Sequence, residues 1–155
     1  MESASAGGSL PAAKAFHARR RVEFRDTDAA GIVHFSAFFF WMESAEHELL
    51  RELGVPVVDR HGDAGGGEES WPRVSVTCDY KAAVRFGDEL DIFAAVAEIG
   101  RTSVTYSFRF ENAGAWVAQG QVVAVRCLMR GGMPPQAVAI PAEVVRRLAT
   151  YRAGA

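Results

Sequence analysis

One helix among strands is the feature that most restricts this chain. From Phe35 the apolar residues fall at Phe35, Phe38, Phe39, Met42, Ala45, Leu49, Leu50 and Leu53, the three-and-four spacing that lines one side of an α-helix. Phe40 and Trp41 make its first turns apolar on the other flank as well. Gly54 followed by Pro56 supplies the stop,. Glu46, His47 and Glu48 read as a solvated face of the same helix. Most of the remaining chain carries the period of two that marks strands. Val74, Val76, Cys78 and Tyr80 alternate with polar partners over residues 73–80, and Val104, Tyr106, Phe108 and Phe110 do so over residues 102–110,. Residues 90–99 are apolar on both faces, and residues 116–129 read as one long strand after the hairpin signal ENAG,. Before the helix, Val22 and Phe24 share a face of a first strand over residues 16–25. Pro141 opens a short terminal helix with Val144, Val145 and Leu148,.

The order is strand, helix, then four strands in meander-like succession, with no strand–helix–strand alternation. A parallel doubly wound sheet does not fit. An α+β fold does: an antiparallel sheet with one long apolar helix on a single face and a short helix at the C-terminal end. One sheet face cannot cover a helix so apolar, so a second subunit is expected to cover the rest. The 155 residues make one domain, taken as residues 16–150 behind a flexible arm of residues 1–15,. The polar, glycine-rich run over residues 59–70 reads as a mobile loop,.

Charge and composition exclude several functions. The net charge is −2 and the basic residues form no aromatic-interleaved stripe, so no nucleic-acid partner is expected,. No window has the length and purity of a membrane span. The first residues include Glu2 and no continuous apolar run, unlike a secretory signal,. The expectation is a soluble cytoplasmic protein with no membrane partner, in which Cys78 and Cys127 are free thiols,.

Two aspartates and a glycine, in the run RDTDAAGIVHF, stand at the mouth of the apolar helix. A calcium loop would need oxygen ligands where Ala30 and Ala37 stand, and no H-E-x-x-H spacing supports zinc, so neither a metal nor a cofactor is expected,. Asp26 or Asp28 has a plain use as a helix or turn cap. The other reading is chemical. The unpaired N–H groups of a helix start polarise a carbonyl oxygen, and a carboxylate a few residues earlier reaches the same carbonyl carbon directly or through a water. That pair is a minimal hydrolytic site. Other nucleophile schemes are weak, since no G-x-S-x-G elbow is present,.

The stretch RVEFRDTDAAGIVHFSAFFFWMESA resembles the signature of hotdog-fold acyl-CoA thioesterases of the 4-hydroxybenzoyl-CoA thioesterase family. The pattern there is a strand ending in D-x-D, a small-small-Gly-apolar-Val run, an aromatic pair and a long central helix. The resemblance extends from Val22 to about Pro141. It implies a five-stranded antiparallel sheet wrapped around that helix, with hydrolysis of a CoA thioester to free acid and CoA. By position it makes Asp28 the catalytic carboxylate, as nucleophile or general base, and the backbone N–H of Phe35 the carbonyl-polarising donor. Gly31 belongs to the same catalytic loop, Asp26 is structural, and Glu43 is an orienting or structural acid. The Gly-Arg-Thr-Ser-Val run at residues 100–104 matches a turn that contacts the CoA nucleotide, which makes Arg101 and Ser103 phosphate ligands. Lys81 and Arg85 are alternatives.

One subgroup of the family has Tyr-His where this chain has His34 and Phe35, so His34 is displaced by one residue and is placed among the substrate contacts instead. The sequence sits nearer members that take aromatic acyl groups, such as 1,4-dihydroxy-2-naphthoyl-CoA, and Phe38 suits an aromatic pocket. The resemblance implies at least a homodimer, with a homotetramer expected. Rival readings are a non-catalytic acyl-CoA or acyl-carrier binding module, a hotdog dehydratase using His34 or His47, and a phenylacetate-type thioesterase. The last needs an H-G-G loop before the helix, whereas His61 to Asp63 follow it.

Overall fold

The computed structural model describes residues 14–60 and 66–153. The expected arm over residues 1–15 therefore lies almost wholly outside the described residues, as does the run from His61 to Asp63. Strand β1 (Phe16–Arg21) leads into the helix α1 (Ala37–Glu52). Two short strands follow, β2 (Val58–Asp59) and β3 (Glu68–Ser70), then the long strands β4 (Arg73–Tyr80), β5 (Glu89–Ile99), β6 (Ser103–Asn112) and β7 (Ala115–Val125). The chain ends with β8 (Cys127–Met129), β9 (Gln136–Ala137) and the helix α2 (Ala142–Leu148). Five strands form one antiparallel sheet in the order β1-β5-β6-β7-β4, and α1 packs against β1, β5 and β4. This is the expected α+β arrangement, a sheet folded around one central helix.

Strand β6 follows its sequence pattern closely. Val104, Tyr106, Phe108 and Phe110 are buried, and the residues between them are half-buried. They meet Phe38, Trp41, Met42, Ala45, Leu49 and Leu50 of α1 in a single core. Gly120 of β7 lets the helix lie close. A Cβ there would run into Met42 Sδ and approach the Thr77 carbonyl to 2.8 Å.

Five expectations need correction. The meander covers only β5, β6 and β7, because β4 pairs with β7 at the far edge while β1 takes the place beside β5. The first strand stops at Arg21; Val22 is still buried, but the chain then turns through a 3₁₀ segment (Phe24–Asp26) that leaves Phe24 81% exposed. The long strand predicted over residues 116–129 breaks at Arg126, whose guanidinium bonds the Ala139 carbonyl at 2.6 Å and pairs with Glu69. Beyond the break, β8 joins a separate sheet of order β2-β3-β8-β9. That sheet also takes in both ends of the predicted loop over residues 59–70.

The fifth correction concerns Glu46, which is fully buried rather than solvated. It accepts a hydrogen bond from Arg73 at 2.8 Å, and Arg73 also donates to His47 Nε2 at 2.9 Å and to the Trp71 carbonyl at 2.9 Å. Burial pushes the Glu46 carboxyl up to about 7, against the opposing pull of Arg73,. Burial, and then Arg73, hold His47 below its ordinary range. Cys78 and Cys127 are free thiols, as expected. Among the described residues, no helix is long and apolar enough to cross a membrane.

Candidate active site

The segment from Thr27 to Val33 is a tight hairpin, closed by an antiparallel bridge between those two residues. Asp28 N–H donates to the Ile32 carbonyl at 2.9 Å, and Gly31 N–H donates to the Asp28 carbonyl at 3.0 Å. Aspartate suits the first position of such a turn because its carboxylate accepts the N–H two residues on. Here Ala30 N–H donates to Asp28 Oδ1 at 2.8 Å. Gly31 has φ +75°, a conformation that a side chain disfavours, so its place in the motif follows from the turn itself,. Asp26 is tied into the preceding turn, where its Oδ2 accepts Glu23 N–H at 2.8 Å.

Val33 N–H then donates to the Val84 carbonyl at 2.8 Å and clips the hairpin to the segment after β4. The two segments and the head of α1 enclose a cleft of about 350 Å³ lined by Asp28, Phe35, Phe38, Tyr80, Lys81 and Val84, among others. Asp28 is half-buried at its wall. Phe38 is 3% exposed and forms the floor, its ring edge-on to Trp41, Tyr80 and Phe110 at 5.1 to 5.2 Å between centroids.

The helix starts two residues later than its apolar pattern suggests. Phe35 precedes it and is 58% exposed, with Ser36 at the N-cap. The N–H groups around Phe35 are taken: His34 donates to the Asp26 carbonyl at 2.8 Å, Ser36 to His34 Nδ1 at 3.2 Å and Ala37 to the His34 carbonyl at 3.0 Å. Among the described residues no acceptor is assigned to the Phe35 N–H. Its carbonyl accepts the Tyr80 hydroxyl at 2.8 Å. Burial, then Cys78, pushes that phenol up to about 12, so it stays a donor at neutral pH.

Of the residues singled out in the sequence, Asp28, Phe35 and Phe38 line this cleft, and Gly31 shapes its rim. His34 faces a neighbouring open cleft instead, with Arg25 and Phe40. Glu43 is exposed on α1. Arg101 and Ser103 stand at the β5–β6 turn, at the other end of the sheet. Tyr80 is level with Phe110 through Ala118, and Ser103 is seven residues further along β6, roughly 23 Å at the rise of a strand. The alternative cations are nearer: Lys81 lines the cleft and Arg85 donates to the Gly31 carbonyl at 3.4 Å. Sequence reasoning missed Tyr80 as a site residue, since its place in an alternating strand marks it only as core-facing.

Asp28 and Phe35, whose N–H has no acceptor among the described residues, line one apolar cleft; a carboxylate and a free N–H are the groups that attack on a carbonyl carbon and stabilisation of its oxyanion require. Several known proteins resemble this chain. An Aquifex aeolicus (strain VF5) protein, described no further than as an esterase, is 32% identical over 130 residues, covering 84% of this chain and 94% of that one. A 1,4-dihydroxy-2-naphthoyl-CoA hydrolase of Prochlorococcus marinus is 30% identical over 100 residues, covering 62% of this chain and 64% of that one. A gentisyl-coenzyme A thioesterase of known structure is 30% identical with a TM-score of 0.73, covering 86% of this chain and 99% of that one. The family model described as the thioesterase-like superfamily matches residues 22–148, and with the sheet wrapped around its central helix this chain belongs to that superfamily.

Proposed function

We propose that this protein is an acyl-CoA thioesterase that hydrolyses an aromatic acyl-CoA to the free acid and CoA. The observation that carries the proposal is the convergence of Asp28, Phe35 and Phe38 on one cleft at the head of α1. The thioester carbonyl oxygen accepts the Phe35 N–H, and the acyl group lies over Phe38. As a general base, Asp28 takes a proton from water as that water attacks the carbonyl carbon; the oxyanion collapses and expels the CoA sulfur, which gains the proton. As a nucleophile, Asp28 itself attacks, CoA thiolate leaves, and water hydrolyses the resulting anhydride. Both routes need the same carboxylate. Gly31 contributes the turn that presents it. The relatives named for 1,4-dihydroxy-2-naphthoyl-CoA and gentisyl-CoA support an aromatic acyl group.

Lys81 and Arg85 are the phosphate partners for CoA within one protomer, and Arg101, Ser103 and His34 contribute through a neighbouring subunit or the adjoining cleft. The assembly is a homodimer at least, built on the β4 edge, and a homotetramer in full. What supports this is the exposure of β4, with Val74 63% and Val76 41% exposed on an eight-residue edge strand,. Val76→Lys is expected to shift the protein to monomer in light scattering; an unchanged mass would remove β4 from the interface. The same reading has the protein act in the cytoplasm, which the free thiols of Cys78 and Cys127 support,.

The test of the activity is thiol release from aromatic and aliphatic CoA esters. The expected result is turnover favouring an aromatic ester by about tenfold or more, the scale of 1.4 kcal/mol in the barrier. Binding without turnover across the panel would favour the binding-module reading.

A further inference from the structure

The backbone on either side of Phe35 is held more firmly than a helix start requires. The peptide plane that carries the Phe35 N–H has the His34 carbonyl at its other end, and that carbonyl accepts Ala37 N–H at 3.0 Å. The next plane is held at both polar ends by side chains. Its carbonyl, of Phe35, accepts the Tyr80 hydroxyl at 2.8 Å, and its N–H, of Ser36, donates to His34 Nδ1 at 3.2 Å. The Ser36 hydroxyl also bonds His34 Nδ1, at 2.7 Å. With a bond on the first plane and one at each end of the second, rotation about the Phe35 dihedrals is restrained, and with it the direction of the Phe35 N–H. A helix start does not supply this by itself. Phe39 N–H, which four residues on would bond the Phe35 carbonyl in a regular turn, donates to Ser36 at 3.1 Å instead. The Phe35 carbonyl is thus left to a side chain from β4, 45 residues away in sequence.

We propose that Tyr80 and His34 are positioning residues that clamp the Phe35–Ser36 peptide and so aim the Phe35 N–H at the thioester oxygen. This deepens the hydrolytic reading and rests on it. An oxyanion donor works because its direction is fixed before reaction, and small misplacements of such groups cost large factors in rate. Tyr80 suits the task because its ring is wedged edge-on against Phe38 at 5.2 Å, which fixes where the hydroxyl points. His34 acts as an acceptor at Nδ1 toward the Ser36 N–H, so its proton sits on Nε2,.

The test uses Tyr80→Phe, which keeps the ring and removes only the hydroxyl. Its kcat is expected to fall by about tenfold to a hundredfold, with KM and thermal midpoint unchanged. Tyr80→Phe combined with His34→Ala should lose little more than the worse single variant, because both hold one peptide. Amide hydrogen exchange gives a readout independent of turnover: Ser36 should exchange at least about tenfold faster in Tyr80→Phe, while amides of β6 do not change. An unchanged kcat and unchanged Ser36 exchange would overturn the clamp, as would a loss confined to KM, which would make Tyr80 a substrate contact. Full activity in Asp28→Ala is a different failure, since it removes the hydrolytic reading and leaves the exchange result to decide the clamp.

Discussion

Asp28→Ala is expected to lower kcat for thioester hydrolysis by about 10³-fold or more, a barrier increase of about 4 kcal/mol. The carboxylate supplies the attacking oxygen or activates the water that does, and the Phe35 N–H that remains only stabilises charge already formed. Folding should survive the change. The side chain makes one hydrogen bond within the hairpin, from Ala30 N–H, and the loss of one half-exposed bond costs about 1 kcal/mol. Circular dichroism and the thermal midpoint of the variant, measured beside its thiol-release rate, separate the two effects. A kcat within threefold of the parent would remove Asp28 from the chemistry.

The second large effect is on stability and has a pH sign. In the folded protein Glu46 sits at about 7, above its ordinary 4.5. A carboxyl raised on folding binds its proton more tightly in the native state, so its contribution is fully present below about 4.5 and is lost as pH rises through about 7,. The urea midpoint is therefore expected to fall between pH 5 and pH 8, by a slope of up to about 1.4 kcal/mol per pH unit from this group. Glu46→Gln should flatten that slope. Arg73→Met takes away the cation bonded to the buried carboxylate, and breaking such a pair costs about 3–5 kcal/mol. The cost should be largest at pH 8 and shrink toward pH 5, where the carboxyl is already neutral. Equal destabilisation at both values would show that Arg73 acts through packing alone.

These two residues also show where the sequence could be read and where it could not. The motif around Asp28 was legible because its parts are local: a turn from Asp28 to Gly31 and the short approach to the helix put Asp28 and Phe35 at one cleft. Strand β6 was legible because one face of every second residue meets α1. Glu46 was misread because its charge outweighed its position. It stands four residues after Met42 and four before Leu50, on the buried stripe, but the Arg73 that makes burial tolerable lies 27 residues away. Strand β4 alternates like a half-buried strand, yet Val74 and Val76 are exposed in the single chain, since sequence alternation does not say which surface will cover a face. The order of strands was not legible either. Only pairing shows that β1 takes the place beside β5 and sends β4 to the far edge, and that edge placement is what carries Tyr80 to Phe35.

The most direct measurement is a crystal structure of Asp28→Asn with an aromatic acyl-CoA bound, the variant being slow enough to hold its substrate. The expected result has the thioester oxygen within about 3.2 Å of the Phe35 nitrogen, the aromatic acyl group over Phe38, and the substituted side chain facing the carbonyl carbon. A thioester seated in the neighbouring cleft beside His34 and Phe40, with the Phe35 N–H facing solvent, would contradict the assignment of the site.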